Sequence, residues 1–190
     1  MREVRIHGRG GQGAVIASKI LAKALVEEGK YAVAIPSFGF ERRGAPVAAF
    51  LRFDDKEIRA ATNIYNPDYI ICIDPTVARA VDIFAGMNKG GTLVQATKRS
   101  PEELDLPNGL DTVGLCDAVG IALDIFDKPI TNSIMLGAFA KTTGIVSIAA
   151  LNRGLETANL RDAGLEQNIR AIKRGFEETR VYDFAGDGPL

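Results

Sequence analysis

The sequence predicts an α/β fold: a mostly parallel sheet flanked by helices, with a helical C-terminal part. The first observation is a short apolar strand that runs directly into a glycine-rich loop and then into a helix. The second is a set of continuous apolar runs, which are typical of strands covered on both faces. The third is that apolar residues recur at helical spacing from residue 131 onward. Together they indicate one sheet with helices packed on it.

The individual elements follow from local patterns along the chain. Strands are predicted, in chain order, at residues 4–7, 31–35, 47–53, 69–73, 92–95 and 112–115. Helices are predicted at residues 14–28, 74–84, 118–126, 132–142, 147–157 and 162–178. Asp74 and Asp117 are suitable N-terminal caps, and Gly29 and Gly144 are suitable helix ends.

Two strand pairings and one domain are predicted from these elements. The helix between the first two strands implies a right-handed crossover that joins a parallel pair. The strand at 47–53 is expected to turn at 54–55 and to pair antiparallel with 57–58. Residues 1–180 are expected to form a single domain, followed by an extended C-terminal tail at 181–190 that contains two glycines and a proline.

Composition and charge exclude several classes of protein. The formal net charge of −1 gives no reason to expect binding to nucleic acid or to an anionic membrane. The N-terminus lacks the pattern of a secretory signal, and no apolar run reaches the length of a membrane span. Cys72 and Cys116 lie far apart in apolar segments, whereas an iron–sulfur cluster normally needs four thiolates. We therefore expect a cytoplasmic protein with buried thiols and with no catalytic or metal-binding residues of its own.

The glycine loop is the strongest functional motif. Gly8, Gly10 and Gly13 satisfy the dinucleotide-binding spacing, and they stand between a strand and a helix as that motif requires. Glycines let backbone N–H groups approach a phosphate closely, and the helix adds the positive end of its dipole. The motif therefore predicts a Rossmann-like phosphate site, and the alternative is a tight turn that binds no ligand.

The residues after the second strand indicate which class of phosphate-bearing ligand the glycine loop is expected to bind. NAD sites carry an acidic residue at the end of that strand, but here the strand ends in residues 35–37 without one. The arginine pair Arg42 and Arg43 follows in the next loop, and arginines suit a ligand that carries additional phosphates. NADP and coenzyme A both fit this description, whereas NAD does not.

Residues 8–13 (GRGGQG) and 37–44 (SFGFERRG) together resemble the paired signature of the gamma subunit of pyruvate or 2-oxoacid:ferredoxin oxidoreductases. That family carries GxGGQG and approximately SYGPExRGG at these places. The segments 66–68, 132–138 and 168–176 also resemble the family, and the resemblance extends over about residues 3 to 180. It is specific for the family and not for the substrate.

The resemblance implies a non-catalytic subunit of a complex that converts a 2-oxoacid oxidatively into an acyl-CoA. It implies that thiamine diphosphate, Mg²⁺ and [4Fe-4S] clusters lie in partner subunits of the alpha, beta and delta types. Electrons would pass to ferredoxin or to another acceptor. The gamma subunit would contribute to coenzyme A binding, and the candidate binding residues are Gly10, Gly11, Gln12, Gly13, Ser37, Gly39, Arg42 and Arg43.

Several alternatives remain open at this point. The chain could be the small subunit of an indolepyruvate or arylglyoxylate enzyme, a stand-alone NADP or flavin oxidoreductase, or a scaffold for the other subunits. Gln12 could orient a phosphate or cap its own loop, and Asn132 could cap a helix or meet a partner. Asp74 could cap a helix or lie at a ligand-binding edge. His7 is expected to be structural.

Overall fold

The computed structural model describes residues 1–36, 44–59, 62–158 and 164–185. Within these ranges the strands are β1 (Arg2–Arg9), β2 (Tyr31–Pro36), β3 (Pro46–Asp54), β4 (Tyr69–Cys72), β5 (Gly91–Ala96), β6 (Leu110–Cys116) and β7 (Arg180–Asp183). The helices of the described part are α1 (Ala14–Glu27), α2 (Ala118–Phe126), α3 (Asn132–Thr143), α4 (Ile148–Glu156) and α5 (Leu165–Glu178). None of these helices is long and apolar enough to cross a bilayer.

The strands form one sheet in the order β2-β3-β1-β4-β5-β6-β7. β1, β4, β5 and β6 pair in parallel. β3 runs antiparallel to both β1 and β2, and β7 runs antiparallel to β6, so that only these two strands oppose the direction of the others. The predicted α/β fold with a mostly parallel sheet is therefore confirmed.

Both predicted strand pairings are wrong because β3 occupies a position inside the sheet. It lies between β2 and β1, which run in the same direction but do not pair. Residues 49–53 of β3 are all buried, so both faces of this strand are covered by packed side chains. Both of its hydrogen-bonding edges are occupied, and residues 57–58 therefore form no strand with it.

The two faces of the sheet are covered differently. On one face, α1 and α3 pack on alternate residues of the central strands, such as Ile6, Ile71 and Val94. On the other face, the neighbouring residues in those strands, such as Ile70 and Leu93, pack against the chain that connects the strands. The loops after β4 and β5 therefore take the place of a helical layer on this second face.

The predicted helix at 74–84 is replaced by a turn and a short 3₁₀ segment at Val77–Arg79. The Asp74 carboxylate accepts hydrogen bonds from the backbone N–H of Thr76 (2.7 Å) and from its hydroxyl (2.6 Å). Aspartate side chains that bond to nearby backbone in this way compete with helix formation. The Asp82 carboxylate does the same with the N–H of Phe84 (2.9 Å), which keeps the rest of the segment irregular.

The other predicted helices are confirmed within one or two residues, apart from the start of α5. Asp117 caps α2 by accepting the N–H of Gly120 at 3.0 Å, and Gly144 ends α3 in the left-handed conformation. The predicted first residues of α5, 162–163, lie outside the described ranges. Residues 181–183, predicted as part of an extended tail, belong to β7 because their backbone completes the edge of β6.

Helices α3 and α5 touch at their backbones through two glycines. A Cβ on Gly137 would lie 2.0 Å from the carbonyl oxygen of Ile172, and a Cβ on Gly175 would lie 2.0 Å from that of Ile134. Neither distance is possible between real atoms, so both positions require glycine. This contact fixes the C-terminal helix to the layer that covers the sheet.

We expect Gly175→Ala to lower the free energy of unfolding by roughly 1–2 kcal/mol. Alanine favours a helix by about 1 kcal/mol over glycine, but forcing two backbones apart costs about 1–3 kcal/mol or more. Urea denaturation measures the difference, with Arg170→Ala on the exposed side of the same helix as the control. A Gly175→Ala protein as stable as the wild type would contradict the close contact.

Candidate functional site

The candidate site lies where the carboxyl ends of β1 and β4 meet. The two strands pair in parallel up to His7 and Cys72, so their loops leave the sheet side by side. After β1 the chain enters α1 on one face, whereas after β4 it passes to the other face. Open α/β sheets bind ligands in the crevice that forms at such a reversal of strand order. We call residues 8–13 the glycine loop and residues 74–76 the Asp74 turn.

The glycine loop presents a set of unpaired backbone donors. Gly11 and Gly13 have φ angles of 91° and 83°, a conformation that favours glycine, and α1 starts without a side-chain cap. Five backbone N–H groups of the glycine loop and of the first turn of α1 donate no hydrogen bond to any described residue. They belong to Gly11, Gly13, Ala14, Val15 and Ile16. These donors and the positive end of the α1 dipole suit an anion such as a phosphate.

Gln12 joins the glycine loop to the Asp74 turn. Its Oε1 accepts the backbone N–H of Arg9 at 2.7 Å, and its Nε2 donates to the Asp74 carboxylate. The side chain thus caps its own loop, as one of the two sequence alternatives proposed. Contact between Gln12 and a ligand stays a prediction, as it does for Gly10, Gly11 and Gly13.

Asp74 is held as an anion in this arrangement. Burial acts to raise the pKa of its carboxyl, but hydrogen bonds from Thr76 and Gln12, with the charge of Arg9, outweigh burial and lower the pKa below its usual value. The carboxylate is therefore ionised at neutral pH. Asp74 is not a helix cap, because the predicted helix is absent, and it lies at the carboxyl-terminal edge of the parallel strands, beside the glycine loop.

Arg9 is a residue of the site that sequence reasoning did not single out. Its Nε donates to the hydroxyl of Thr76 at 2.8 Å, and one terminal nitrogen donates to the carbonyl of Gly44 at 2.9 Å. Its Nε also lies 3.8 Å from the Asp74 carboxylate. The only feature of the sequence that could have identified Arg9 as a site residue is its place within the glycine motif. It brings a positive charge to the crevice beside the unpaired N–H groups.

Asn132 places the start of α3 against the glycine loop. Its Oδ1 accepts the N–H of Ser133 at 2.9 Å, but Asn132 is the first residue of α3 and the N-cap position is Thr131, which makes no side-chain capping bond. Its side-chain nitrogen lies where a Cβ on Gly13 would be only 2.6 Å away. Asn132 is 7% exposed, and this nitrogen donates to no described acceptor. The N-termini of α1 and α3 therefore meet at the crevice.

The four remaining predicted site residues, Ser37, Gly39, Arg42 and Arg43, lie outside the described residues. In the sequence they fall between the end of β2 at Pro36 and Gly44, where the described residues resume. There, Gly44 donates its N–H to the carbonyl of Gly10 (3.1 Å), and Gly10 donates its own to Ala45 (2.9 Å). This end of the predicted loop is thus fixed directly to the glycine loop.

His7 is a neutral structural residue. Burial, with a smaller effect from Arg5, lowers the pKa of its imidazole to about 4. The Nε of Arg5 donates to its Nε2 at 3.0 Å, and the same guanidinium bonds the carbonyls of Ile83 (2.8 Å) and Ala85 (2.7 Å). The pair therefore ties β1 to the connection after β4, as expected for a structural histidine.

The cysteines are buried, free thiols. Burial raises the pKa of Cys72 to about 12 and that of Cys116 to about 11, so both stay protonated at neutral pH. In the described ranges, no three or more His, Cys, Asp or Glu side chains come together in a way that could hold a metal ion. The groups that the crevice does present, unpaired backbone N–H donors and the guanidinium of Arg9, suit an anionic ligand.

Comparison with known proteins shows the family to which the whole chain is related. The sequence profile of the family described as pyruvate ferredoxin/flavodoxin oxidoreductase matches residues 3–178. The gamma subunit of NADH-dependent phenylglyoxylate dehydrogenase from Aromatoleum evansii is 65% identical over 182 residues, or 96% of each chain. The common gamma subunit of the pyruvate/ketoisovalerate oxidoreductases of Thermococcus kodakarensis is 46% identical over 185 residues, or 96% of this chain and 100% of that one. A crystal structure of a pyruvate oxidoreductase subunit from Thermotoga maritima superposes with a TM-score of 0.81 at 36% identity, and the match covers 96% of this chain and 98% of that one.

The low pKa of His7 predicts a pH dependence of stability. The folded chain binds fewer protons than the unfolded chain between about pH 4 and pH 6.5, so the free energy of unfolding falls as the pH decreases through that window. We expect a loss of about 2 kcal/mol between pH 7 and pH 5. Denaturation of the wild type and of His7→Gln at pH 7, 6 and 5 measures it. The variant keeps an acceptor for Arg5 and should lose most of the slope; an equal slope would assign the effect to other groups.

Proposed function

The chain belongs to the pyruvate ferredoxin/flavodoxin oxidoreductase family as a gamma-type subunit, and from this premise we propose that it helps to bind coenzyme A in a multi-subunit 2-oxoacid:acceptor oxidoreductase. Coenzyme A supplies the thiol that receives the acyl group of the oxidised 2-oxoacid. The part proposed for this chain is to hold the phosphate groups of coenzyme A and to contribute surface for assembly.

The unpaired N–H groups of the glycine loop are the observation that carries this proposal. A phosphate accepts several hydrogen bonds at once, and the loop offers donors from Gly11 to Ile16 together with the positive end of α1. Arg9 adds a positive charge that is already fixed in position. Arg42 and Arg43, which directly precede Gly44 in the sequence, are proposed to bind further phosphate oxygens.

The carbon and electron chemistry is proposed to lie in other chains. In the described part of this chain, no metal-binding cluster is present and both thiols are buried and protonated. We assign thiamine diphosphate, Mg²⁺ and [4Fe-4S] clusters to alpha-, beta- and delta-type partners, and ferredoxin or another acceptor to the complex as a whole. The complex is proposed to work in the cytoplasm. We propose that the single domain of this chain includes β7 and that the residues after β7 form the tail.

An arylglyoxylate is the substrate that the comparisons favour for this complex. The phenylglyoxylate dehydrogenase subunit is 65% identical to this chain, whereas the common subunit of the pyruvate/ketoisovalerate enzymes is 46% identical. The small subunit of an arylglyoxylate-type enzyme is therefore the more specific form of the proposal. A stand-alone NADP or flavin enzyme is disfavoured, since the relatives that match 96% of this chain are named as gamma subunits of larger oxidoreductases.

We expect Gly11→Ala in the reconstituted complex to raise the KM for coenzyme A about tenfold and to leave the KM for the 2-oxoacid unchanged. The added methyl group would obstruct the approach of a phosphate, which costs about as much as one hydrogen bond to a charged group. Steady-state kinetics with each substrate varied in turn separates the two KM values.

Gly29→Ala is the matched control for this experiment. Gly11 and Gly29 both have positive φ angles, 91° and 81°, and in both a Cβ would meet nothing within 4 Å. Each substitution should therefore cost a similar roughly 1–2 kcal/mol of backbone strain, but Gly29 follows the far end of α1. Equal KM values for coenzyme A in the two variants would remove the glycine loop from the coenzyme A site.

The same complex tests the substrate class. We expect kcat/KM for phenylglyoxylate to exceed that for pyruvate by at least about tenfold, which corresponds to about 1.4 kcal/mol of transition-state binding. Acyl-CoA formation is measured with pyruvate, 2-oxoisovalerate and phenylglyoxylate at saturating coenzyme A. A preference for pyruvate would contradict the arylglyoxylate form and leave the general proposal in place.

A further inference from the structure

The side chain of Asn132, the first residue of α3, presents a hydrogen-bond donor to the glycine loop. Its Oδ1 accepts the N–H of Ser133 at 2.9 Å, and this bond fixes the orientation of the amide, because the reverse orientation would set two donors against each other. The Nδ2 group lies directly beside Gly13, where an added Cβ would come within 2.6 Å of it. The free half of the amide therefore faces the glycine loop, and it can only donate.

This nitrogen has no acceptor within the described residues, although Asn132 is only 7% exposed. It is not sealed inside the protein, since the fully enclosed side-chain atom that lacks a partner in the described part of the chain is Oδ1 of Asn152. Nδ2 therefore keeps contact with open space. A side chain that is more than nine-tenths buried, whose donor has no partner and can still be reached from outside, is suited to bind an acceptor on a ligand.

The contacts of the neighbouring residues hold Asn132 in place. The hydroxyl of Thr131 donates to the carbonyl of Ile73 at 2.7 Å, which attaches the start of α3 to the residue after β4. The hydroxyl of Ser133 donates to the side chain of Asn168 on α5 at 2.6 Å. Because the residues on both sides are fixed, the amide is already positioned, and little conformational entropy is lost when it binds.

The groups around this nitrogen are mainly donors and positive charges. The N–H groups at the start of α1 lie at the positive end of its dipole, and the start of α3 brings a second such end. The guanidinium of Arg9 lies at the same edge of the sheet. The Asp74 carboxylate lies there too, but Thr76 bonds one of its oxygens and Gln12 the other. An anion bound from outside would satisfy these donors together.

We propose that Asn132 donates a hydrogen bond to the phosphate bound at the glycine loop, so that α1 and α3 hold this phosphate together. A phosphate group carries three strong acceptor oxygens that point in different directions. One oxygen can accept from the backbone N–H groups of the loop while another accepts from Nδ2. The inference rests on the function proposed above only in that the loop binds a phosphate, and it does not require this phosphate to belong to coenzyme A.

NMR spectroscopy of the isotope-labelled full chain tests this contact directly, with inorganic pyrophosphate as the probe. The side-chain NH₂ signals that disappear in Asn132→Asp are those of Asn132. In the wild type we expect pyrophosphate to move these signals along the same saturation curve as the backbone N–H signals of the glycine loop. An asparagine with only a structural role would show no such response.

The affinity of the variants gives a second measurement. Asn132→Asp should weaken pyrophosphate at least about tenfold, because a carboxylate replaces the donor and repels the phosphate. Its melting temperature should stay at or above that of the wild type, since the carboxylate still accepts the N–H of Ser133 and lies at helix N-termini. Asn132→Ala removes the donor without adding a charge, and it should also weaken pyrophosphate.

Asn108→Asp is the matched control for the added charge. It makes the same substitution at an exposed position just before β6, at the end of the sheet opposite the crevice. It should bind pyrophosphate as tightly as the wild type.

The outcomes separate this inference from the proposed function. The inference is overturned if pyrophosphate moves the signals of the glycine loop but not those of Asn132, or if Asn132→Asp binds it as tightly as the wild type; the function proposed for the loop would then still stand. Absence of pyrophosphate binding would overturn the inference together with the anion site. If both variants at Asn132 weaken pyrophosphate but Asn132→Asp and Gly11→Ala leave the KM for coenzyme A of the complex unchanged, the phosphate contact is supported and the coenzyme A assignment fails.

Discussion

The parallel pairing of β1 with β4 is the constraint on which the rest of the structure depends. It brings the glycine loop and the Asp74 turn to one edge of the sheet, and the side chain of Gln12 then joins them. The chain leaves these two strands toward opposite faces of the sheet. The segment after β1 forms α1 on one face, and the connection after β4 covers the other. The crevice between them is a result of topology and does not require a special insertion.

The candidate site at the glycine loop holds polar groups that have no hydrogen-bond partner among the described residues. These groups are backbone N–H donors of the loop and the side-chain nitrogen of Asn132. Unpaired polar groups in such places lower stability. A fold that keeps them gains ligand recognition, because only a matching ligand restores the missing hydrogen bonds.

The sequence predicted those parts of the fold that short segments determine. The β1–glycine loop–α1 unit, the cap at Asp117 and the helix end at Gly144 each depend on a few adjacent residues. The position of β3 could not be predicted, because an apolar run of this kind pairs equally well with several neighbours. The Asp74 turn depends on Gln12, which is 62 residues away, so no local pattern could have predicted it. Distant contacts therefore account for most of what sequence reasoning missed.

The C-terminal segment has a consequence for the order of folding. Helix α5 packs on α3 through the glycine contact and leads directly into β7, which completes the edge of β6. These are the last described elements to leave the ribosome, so a nascent chain exposes one side of α3 and an unpaired strand edge until synthesis is nearly complete. Open strand edges promote association between chains. Premature termination anywhere before Arg180 would therefore yield an aggregation-prone product that lacks this final strand.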